Sequence, residues 1–439
     1  MNIVNVKGNS KQGLTGATTG FFVGFAAVAL YGATIAVFKQ SFSTLSPILL
    51  ALLIAIPNLS GSLLRIPFAA WVDINGGRKP FIILLSLSII GMAGLYVVMA
   101  FFRQNLSNYY YLLLIFGALS GCGIATFSVG VSQASYWFPQ SKQGVALGIY
   151  GGVGNLAPGI FTLLLPNVAL PLLGLSGSYL AWLIFLILGT IAYCIIGKNA
   201  WYFQLINAGV EKDEAKKIAS TKYGQELFPN NKISESLMIS ARTWKTWALV
   251  VIYFTTFGGF LALTSWLPTY WMSFFKLSLK MAGALTAMYS ISASITRIYG
   301  GKIADKFGGE STSIIALIIM LSGAVCMTIT SSIPLAVVGV LLLAVGMGVT
   351  NAAVFKILPK EVPHAIGGAA GWVGGLGAFG GFVIPPLMAS FINKTDKNLS
   401  GFSNGFIIFI VLTIISLVIV CSFKMGAKNS RTKKKKVSL

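Results

Sequence analysis

RIPFAAWVDINGG, residues 65–77, places an arginine inside a run otherwise apolar enough for lipid, and the pattern returns as RIYGGKIADKFGG at 297–309. In both copies Arg-Ile is followed by six residues, an Asp, two more residues and Gly-Gly. Arg65, Asp73, Gly76 and Gly77 thus match Arg297, Asp305, Gly308 and Gly309 at one constant offset. A repeated, deeply placed arginine needs both a scaffold and a reason.

The scaffold follows from composition. Of 439 residues, 56% are hydrophobic and 10% charged, where a soluble domain carries about 25% charged residues. Several apolar runs exceed the ~20 residues that cross a bilayer as a helix. They are continuous, unlike the ~10-residue alternating segments of a barrel. The hydropathy predicts an all-α membrane protein with twelve transmembrane helices, near 18–40, 46–72, 80–101, 109–135, 144–166, 177–197, 246–271, 279–301, 312–331, 333–355, 365–392 and 402–423.

Of the 32 Lys and Arg, six (Lys39, Arg103, Lys276, Lys280, Lys394 and Lys397) fall on one side of the alternating loops, and Arg65 and Arg297 fall within spans. All the others fall on the opposite side, the positive-inside pattern, which predicts that both termini are cytoplasmic. The net charge of +22 is then loop and tail charge, and RTKKKK at 431–436 reads as a solvated anchor near anionic headgroups. Nucleic acid is excluded as a partner, because no soluble reading domain accompanies the charge. Cys122, Cys194, Cys326 and Cys421 lie in spans without metal-ligand or disulfide spacing and read as small buried hydrophobes. No metal, cofactor or catalytic group is expected. The start, MNIVNVKGNSKQG, lacks a cleavage-type signal.

The organisation is six plus six. A cytoplasmic N-terminal tail (1–17) precedes a six-helix bundle (18–197), a hydrophilic linker (198–245), a second six-helix bundle (246–423) and a basic tail (424–439). GGVGNL from Gly151 and GWVGGL from Gly371 share G-x-V-G-x-L, each in the fifth span of its half, while the arginines lie in the second spans. Matching signals at matching positions imply a duplicated unit with a site at the repeat interface and alternating access by rocking.

Each arginine stands eight residues before its Asp, roughly 12 Å along a helix, against a half-core of about 15 Å. Placing Arg at a helix centre costs about 2.5–3.5 kcal/mol. Asp73, Asp305 and Glu310 are assigned to loops, Glu211, Asp213, Glu214, Glu226 and Glu235 to the linker, and Glu361 and Asp396 to late loops. No carboxylate therefore sits within a span to pair either guanidinium. The alternative is a structural role in which backbone carbonyls, Asn155 and tyrosines solvate the arginines; the pattern favours a wet cavity where two guanidiniums meet an anion, because the Arg fork matches two oxygens at once. The lone histidine, His364, reads as a loop residue rather than a proton relay. Without a buried acid to carry a proton, anion exchange is the expected energetics.

Other residues leave alternatives open. Gly151, Gly154, Gly371 and Gly374 read as packing glycines or as hinges. The Asn155 amide either donates to an oxyanion or satisfies a neighbouring helix. Tyr253 and Phe257, four apart on one face, form packed aromatic surface or one side of an anion sandwich. DINGGRKP is a tight turn whose Asp73 and Arg78 suit a cytoplasmic gate; its partial copy DKFGGEST keeps Asp305 but lacks the basic pair.

DINGGRKP resembles the D-x-x-G-R-K/R signature of the major facilitator superfamily, as does the arrangement of two six-span, pseudo-symmetric bundles. More specifically, the chain resembles the nitrate/nitrite porter family. LLRIPFAAW and ITRIYGGKIADKFGG are similar to its arginine helices, and GGVGNLAPG and GWVGGLGAFGGFVIPP to its glycine-rich signatures. YFTTFGG, SYWFPQSKQGVALGIYGG and AAVFKILP are also similar, in order, from about Arg65 to Pro386. The resemblance implies the major facilitator fold, an anion clamped by Arg65 and Arg297, flanked by Tyr253 and Phe257, with Asn155 close by and the glycines as hinges. Pro158, and Gly375 at the position matching Asn155, depart from the family pattern and bear on fine substrate choice.

The expectation is an inner-membrane, multi-pass antiporter of nitrate and nitrite in nitrate assimilation, with the lipid bilayer as surroundings and a monomer sufficient for function. The alternatives are a carrier of another small organic anion such as a carboxylate, or a polytopic enzyme such as a lipid-linked glycosyltransferase. The first external loop, 40–46, holds none of the acidic or histidine groups such an enzyme needs.

Overall fold

Backbone that crosses lipid must satisfy its amides internally, which leaves helices or closed barrels. The structure, a computed structural model, describes residues 6–437 apart from 36–37, 39–41, 43–44, 140–141, 230–232, 364 and 393–399, and these are mostly helical with no strand among them. His364, Lys39, Lys394, Asp396 and Lys397 lie outside the described residues, as do the side chains of the basic tail.

The first half comprises α1 (Ser10–Phe25), α2 (Pro47–Leu63), α3 (Arg65–Asn75), α4 (Arg78–Phe101), α5 (Tyr110–Gly121), α6 (Thr126–Ser135), α7 (Gln143–Leu164) and α8 (Leu170–Ile196). The segment between the halves holds α9 (Trp201–Asn207), α10 (Lys212–Tyr223) and α11 (Ile233–Ala241). The second half comprises α12 (Trp244–Tyr253), α13 (Gly259–Ser273), α14 (Leu279–Phe307), α15 (Gly309–Ile329), α16 (Ile333–Glu361), α17 (Ile366–Ala378), α18 (Gly380–Ala389), α19 (Gly401–Asn404) and α20 (Ile407–Val437).

Among the described residues, nine stretches are long and apolar enough to cross a membrane. One of them, Val145–Ile196, runs through α7 and α8 and contains two spans, broken at Gly174 with φ 66°. Two further spans escape that criterion. The first is divided into α1 and the 3₁₀ turns Ala26–Ala29 and Gly32–Thr34. The other is α14, whose Ser, Thr, Gly and basic residues dilute its hydropathy. Twelve spans result among the described residues.

The repeat extends to the caps. Ser46 accepts from Leu49 N at the start of α2, and Ser278 accepts from Met281 N at the start of α14. At the other ends, Gly76 (φ 80°) and Gly308 (φ 85°) turn the chain through backbone that glycine adopts freely. Because the helices run up to these glycines, Asp73 and Asp305 lie in the last turns of α3 and α14, and Glu310 in the first turn of α15. They are at helix ends rather than in the loops expected from sequence.

The halves meet where α7 packs on α14 and where α2 packs on α18. Ser294 Oγ donates to Asn155 O (2.9 Å), Ser265 Oγ to Val28 O (3.0 Å) and Asn58 Nδ2 to Gly381 O (3.3 Å). The linker is shared between halves. Tyr202, Phe203, Leu205, Ala215 and Ala219 of α9 and α10 form a small core with Trp137 of the first half. Lys7 and Gln204 exchange two hydrogen bonds (2.8 and 2.7 Å), so the N-terminal segment is docked there. In contrast, α11 binds α17: Ser236 Oγ accepts from Gly368 N, and Trp372 Nε1 donates to Leu237 O. Of the cysteines, Cys122 is buried, while Cys194, Cys326 and Cys421 are half-buried; all four are free.

Candidate functional site

Pro67 explains where the first arginine sits. Its ring and missing N–H break the ladder one turn earlier, so α2 stops at Leu63 and α3 restarts at Arg65. Arg65 is completely buried. Its Nε donates to Gly61 O (3.0 Å) and its Nη1 to Gly374 O of the opposite half (3.1 Å). The equivalent α14 has Tyr299 where α3 has proline, and it runs unbroken through Arg297. Arg297 is half-buried, and its Nη2 donates to the Tyr253 hydroxyl (3.3 Å). Arg65 Nη2 and Arg297 Nη1 are buried with no hydrogen-bond partner among the described residues.

Both guanidiniums lie against the same two rings. The Arg65 carbon is 4.8 Å from the Phe127 centroid and 5.1 Å from Phe257. The Arg297 carbon is 5.4 and 5.2 Å from the same rings. Phe127 and Phe257 stack at 5.7 Å and 28°. Around them, Tyr253 stacks on Phe257 (4.9 Å, 12°), and Phe25 faces Phe257 (6.4 Å, 16°). Phe21 and Phe25 in the first half hold the positions that Tyr253 and Phe257 hold in the second, at the same offset as the arginines. Phe21 lacks the hydroxyl, so Arg65 has no phenol partner and takes a carbonyl from the other half. Phe257 lies in a π-helical turn, Phe254–Gly258, between α12 and α13. Such turns often mark functional sites.

Phe127 is the residue that sequence reading missed. It is a lone phenylalanine in an apolar span, and only the approach of both guanidiniums to its ring distinguishes it. Asn155 is buried, with its Oδ1 unsatisfied among the described residues and its carbonyl bound by Ser294. Of the four glycines, Gly154 is packing-limited: a methyl there would overlap the Phe21 ring. Gly151 faces open space, and methyls at Gly371 and Gly374 would make ordinary contacts with Leu237 (3.6 Å) and Ser128 (3.7 Å). The gate residues are each bound within their own half. Asp73 accepts from the Tyr136 hydroxyl, Arg78 Nη2 donates to Cys194 O (2.8 Å), and Asp305 pairs with Lys356 (2.6 Å). Lys360–Glu310 and Lys245–Glu361 (2.7 Å) are further ion pairs at that end of the second half.

No carboxylate among the described residues bonds either arginine; the described acids sit at helix ends or in the linker. The site is therefore strongly positive and aromatic-walled, with two unsatisfied donors converging near one ring pair. That chemistry suits a small planar anion.

The family model of the Major Facilitator Superfamily matches residues 17–385 and again 282–438. The chain belongs to the major facilitator superfamily. It is a multi-pass membrane carrier of that superfamily, which sets aside the glycosyltransferase reading. A chain named "Probable nitrate/nitrite antiporter NarK1" from Thermus thermophilus is 29% identical over 85% of this chain and 83% of its own. "Probable nitrate transporter NarT" of Staphylococcus epidermidis is 29% identical over 93% and 96%. The "Nitrite extrusion protein" of Bacillus subtilis is 28% identical over 80% of each. Among solved structures, the xylose transporter XylE of E. coli superposes with a TM-score of 0.70 at 16% identity, covering 94% of this chain and 98% of that one. At that identity the likeness concerns the superfamily fold alone.

Proposed function

We propose that this carrier moves nitrate and nitrite across the cell inner membrane by alternating access, exchanging one anion for another. Arg65 and Arg297 clamp the anion, Phe127 and Phe257 cover its faces, Tyr253 flanks it, and Asn155 lies close by. The observation that carries the reading is the pair of guanidinium donors unsatisfied among the described residues, Arg65 Nη2 and Arg297 Nη1, against shared rings with no described acid bonded to either. A trigonal oxyanion supplies acceptors to both forks in one plane. The names of the relatives support the substrate class, and the charge asymmetry of the loops supports cytoplasmic termini. One chain holds both half-sites, so a monomer suffices.

The test is nitrate and nitrite uptake into vesicles containing the purified carrier. Arg65→Lys and Arg297→Lys are each expected to abolish uptake while the protein remains folded, because lysine keeps the charge and loses the fork. Wild-type uptake by both variants would remove the clamp. Uptake of a small carboxylate in place of nitrate would reassign the cargo.

A further inference from the structure

The two walls of the aromatic slot are not equally free. Tyr150 is buried, stacked on Phe21 at 5.0 Å and 27°, and its hydroxyl donates to the carbonyls of Thr126 (3.0 Å) and Phe127 (2.9 Å). Those carbonyls open α6, directly after the 3₁₀ turn Cys122–Ala125. A helical carbonyl retains a second lone pair after serving its own turn, and a buried phenol needs an acceptor. Gly130, one turn along α6, leaves the space for the hydroxyl, which a methyl there would overlap. The opposite wall, Phe257, lies in the π-helical turn Phe254–Gly258, a kind of turn that often marks functional sites.

The slot must open to work. A flat anion between two rings needs about 7 Å between them, twice a ~3.5 Å contact, whereas Phe127 and Phe257 stand 5.7 Å apart. We propose that Tyr150 is a positioning residue that pins Phe127, so that opening falls on the Phe257 side and the width of the slot is gauged from α6. Because Tyr150 adjoins Gly151 in α7, the same bond ties the glycine-rich helix to the wall. This inference rests on the anion reading above.

Purified Tyr150→Phe carrier tests it in two ways. Amide hydrogen exchange of the ligand-free protein is expected to rise several-fold at 127–131 and to stay unchanged in α12 and α13. The half-saturating nitrate concentration is expected to rise about fivefold, as for one lost hydrogen bond, with the maximal exchange rate within about twofold of wild type. In a Phe127→Leu background the same substitution should add nothing to the half-saturation, since its effect passes through Phe127. The proposal requires both shifts, and the absence of either overturns it. If wild-type protein binds no nitrate, the cargo assignment falls, and hydrogen exchange alone decides the role of Tyr150. If Tyr150→Phe does not fold, Gly130→Ala is expected to crowd the hydroxyl off its carbonyls and give the same shifts; a wild-type profile there overturns the proposal.

Discussion

Arg65 and Arg297 stand at equivalent positions of a duplicated unit yet are held by different chemistry. Arg65 is fixed by two backbone carbonyls, one of them across the boundary between halves, while Arg297 donates from Nη2 to the Tyr253 hydroxyl within its own half. Removing that hydroxyl frees the Arg297 fork without creating a large void. Tyr253→Phe is therefore expected to raise the half-saturating nitrate concentration about fivefold and to leave thermal unfolding within about 1 kcal/mol of wild type. Transport titrations on the purified variant check the first and calorimetry the second; an unchanged titration would mean that Arg297 is oriented by something other than Tyr253. At this scale the sequence was informative about charge. The repeat exposed both arginines, and all ten acidic residues could be placed away from the span centres. It was silent about Phe127, because nothing local marks a ring whose partners come from spans far apart in the chain.

Elements carry the same asymmetry in their backbone. The first arginine helix breaks at Leu64 ahead of Pro67, while its counterpart α14 is continuous. The glycine-rich helices α7 and α17 likewise divide their glycines between positions without and with room for a Cβ. Gly154 has no room for a methyl, so Gly154→Ala should overpack the Phe21 contact and cost about 1–3 kcal/mol. Gly151, Gly371 and Gly374 tolerate a Cβ in this conformation. Alanine there is expected to leave the unfolding midpoint unchanged and to slow exchange, if these positions bend during the cycle. Thermal unfolding and transport rates on the four variants separate the two roles; wild-type exchange by all three open-site variants would leave them without a hinge function. Spans and the Gly-Gly turns that end the arginine helices were legible because hydropathy and Gly punctuation are local signals. The π turn at 254–258, the 3₁₀ start of α6 and the docking of α11 on α17 were not, since each is fixed by packing against another element.

At the scale of the whole molecule, the two halves touch on both sides of the arginine layer. Ser265 and Asn58 bridge them toward one end, and Ile66 meets Gly375 toward the other. The guanidinium carbons each lie within 5.4 Å of the Phe127 centroid, which caps their separation at about twice that distance. At such a spacing and an effective dielectric near 20, two like charges repel by on the order of 2 kcal/mol. A bound anion reverses that term by attracting both. On the proposed clamp, the loaded carrier closes and reorients more readily than the empty one, and no acid among the described residues bonds the arginines to substitute for the anion. Vesicles preloaded with nitrate should take up external nitrate at least tenfold faster than empty ones, since 1.4 kcal/mol of barrier corresponds to a factor of about ten. The acceleration should vanish when the internal anion is replaced by one too bulky for the slot. Equal uptake by loaded and empty vesicles would show that the empty site crosses unaided, and the charge argument for exchange would then have no force.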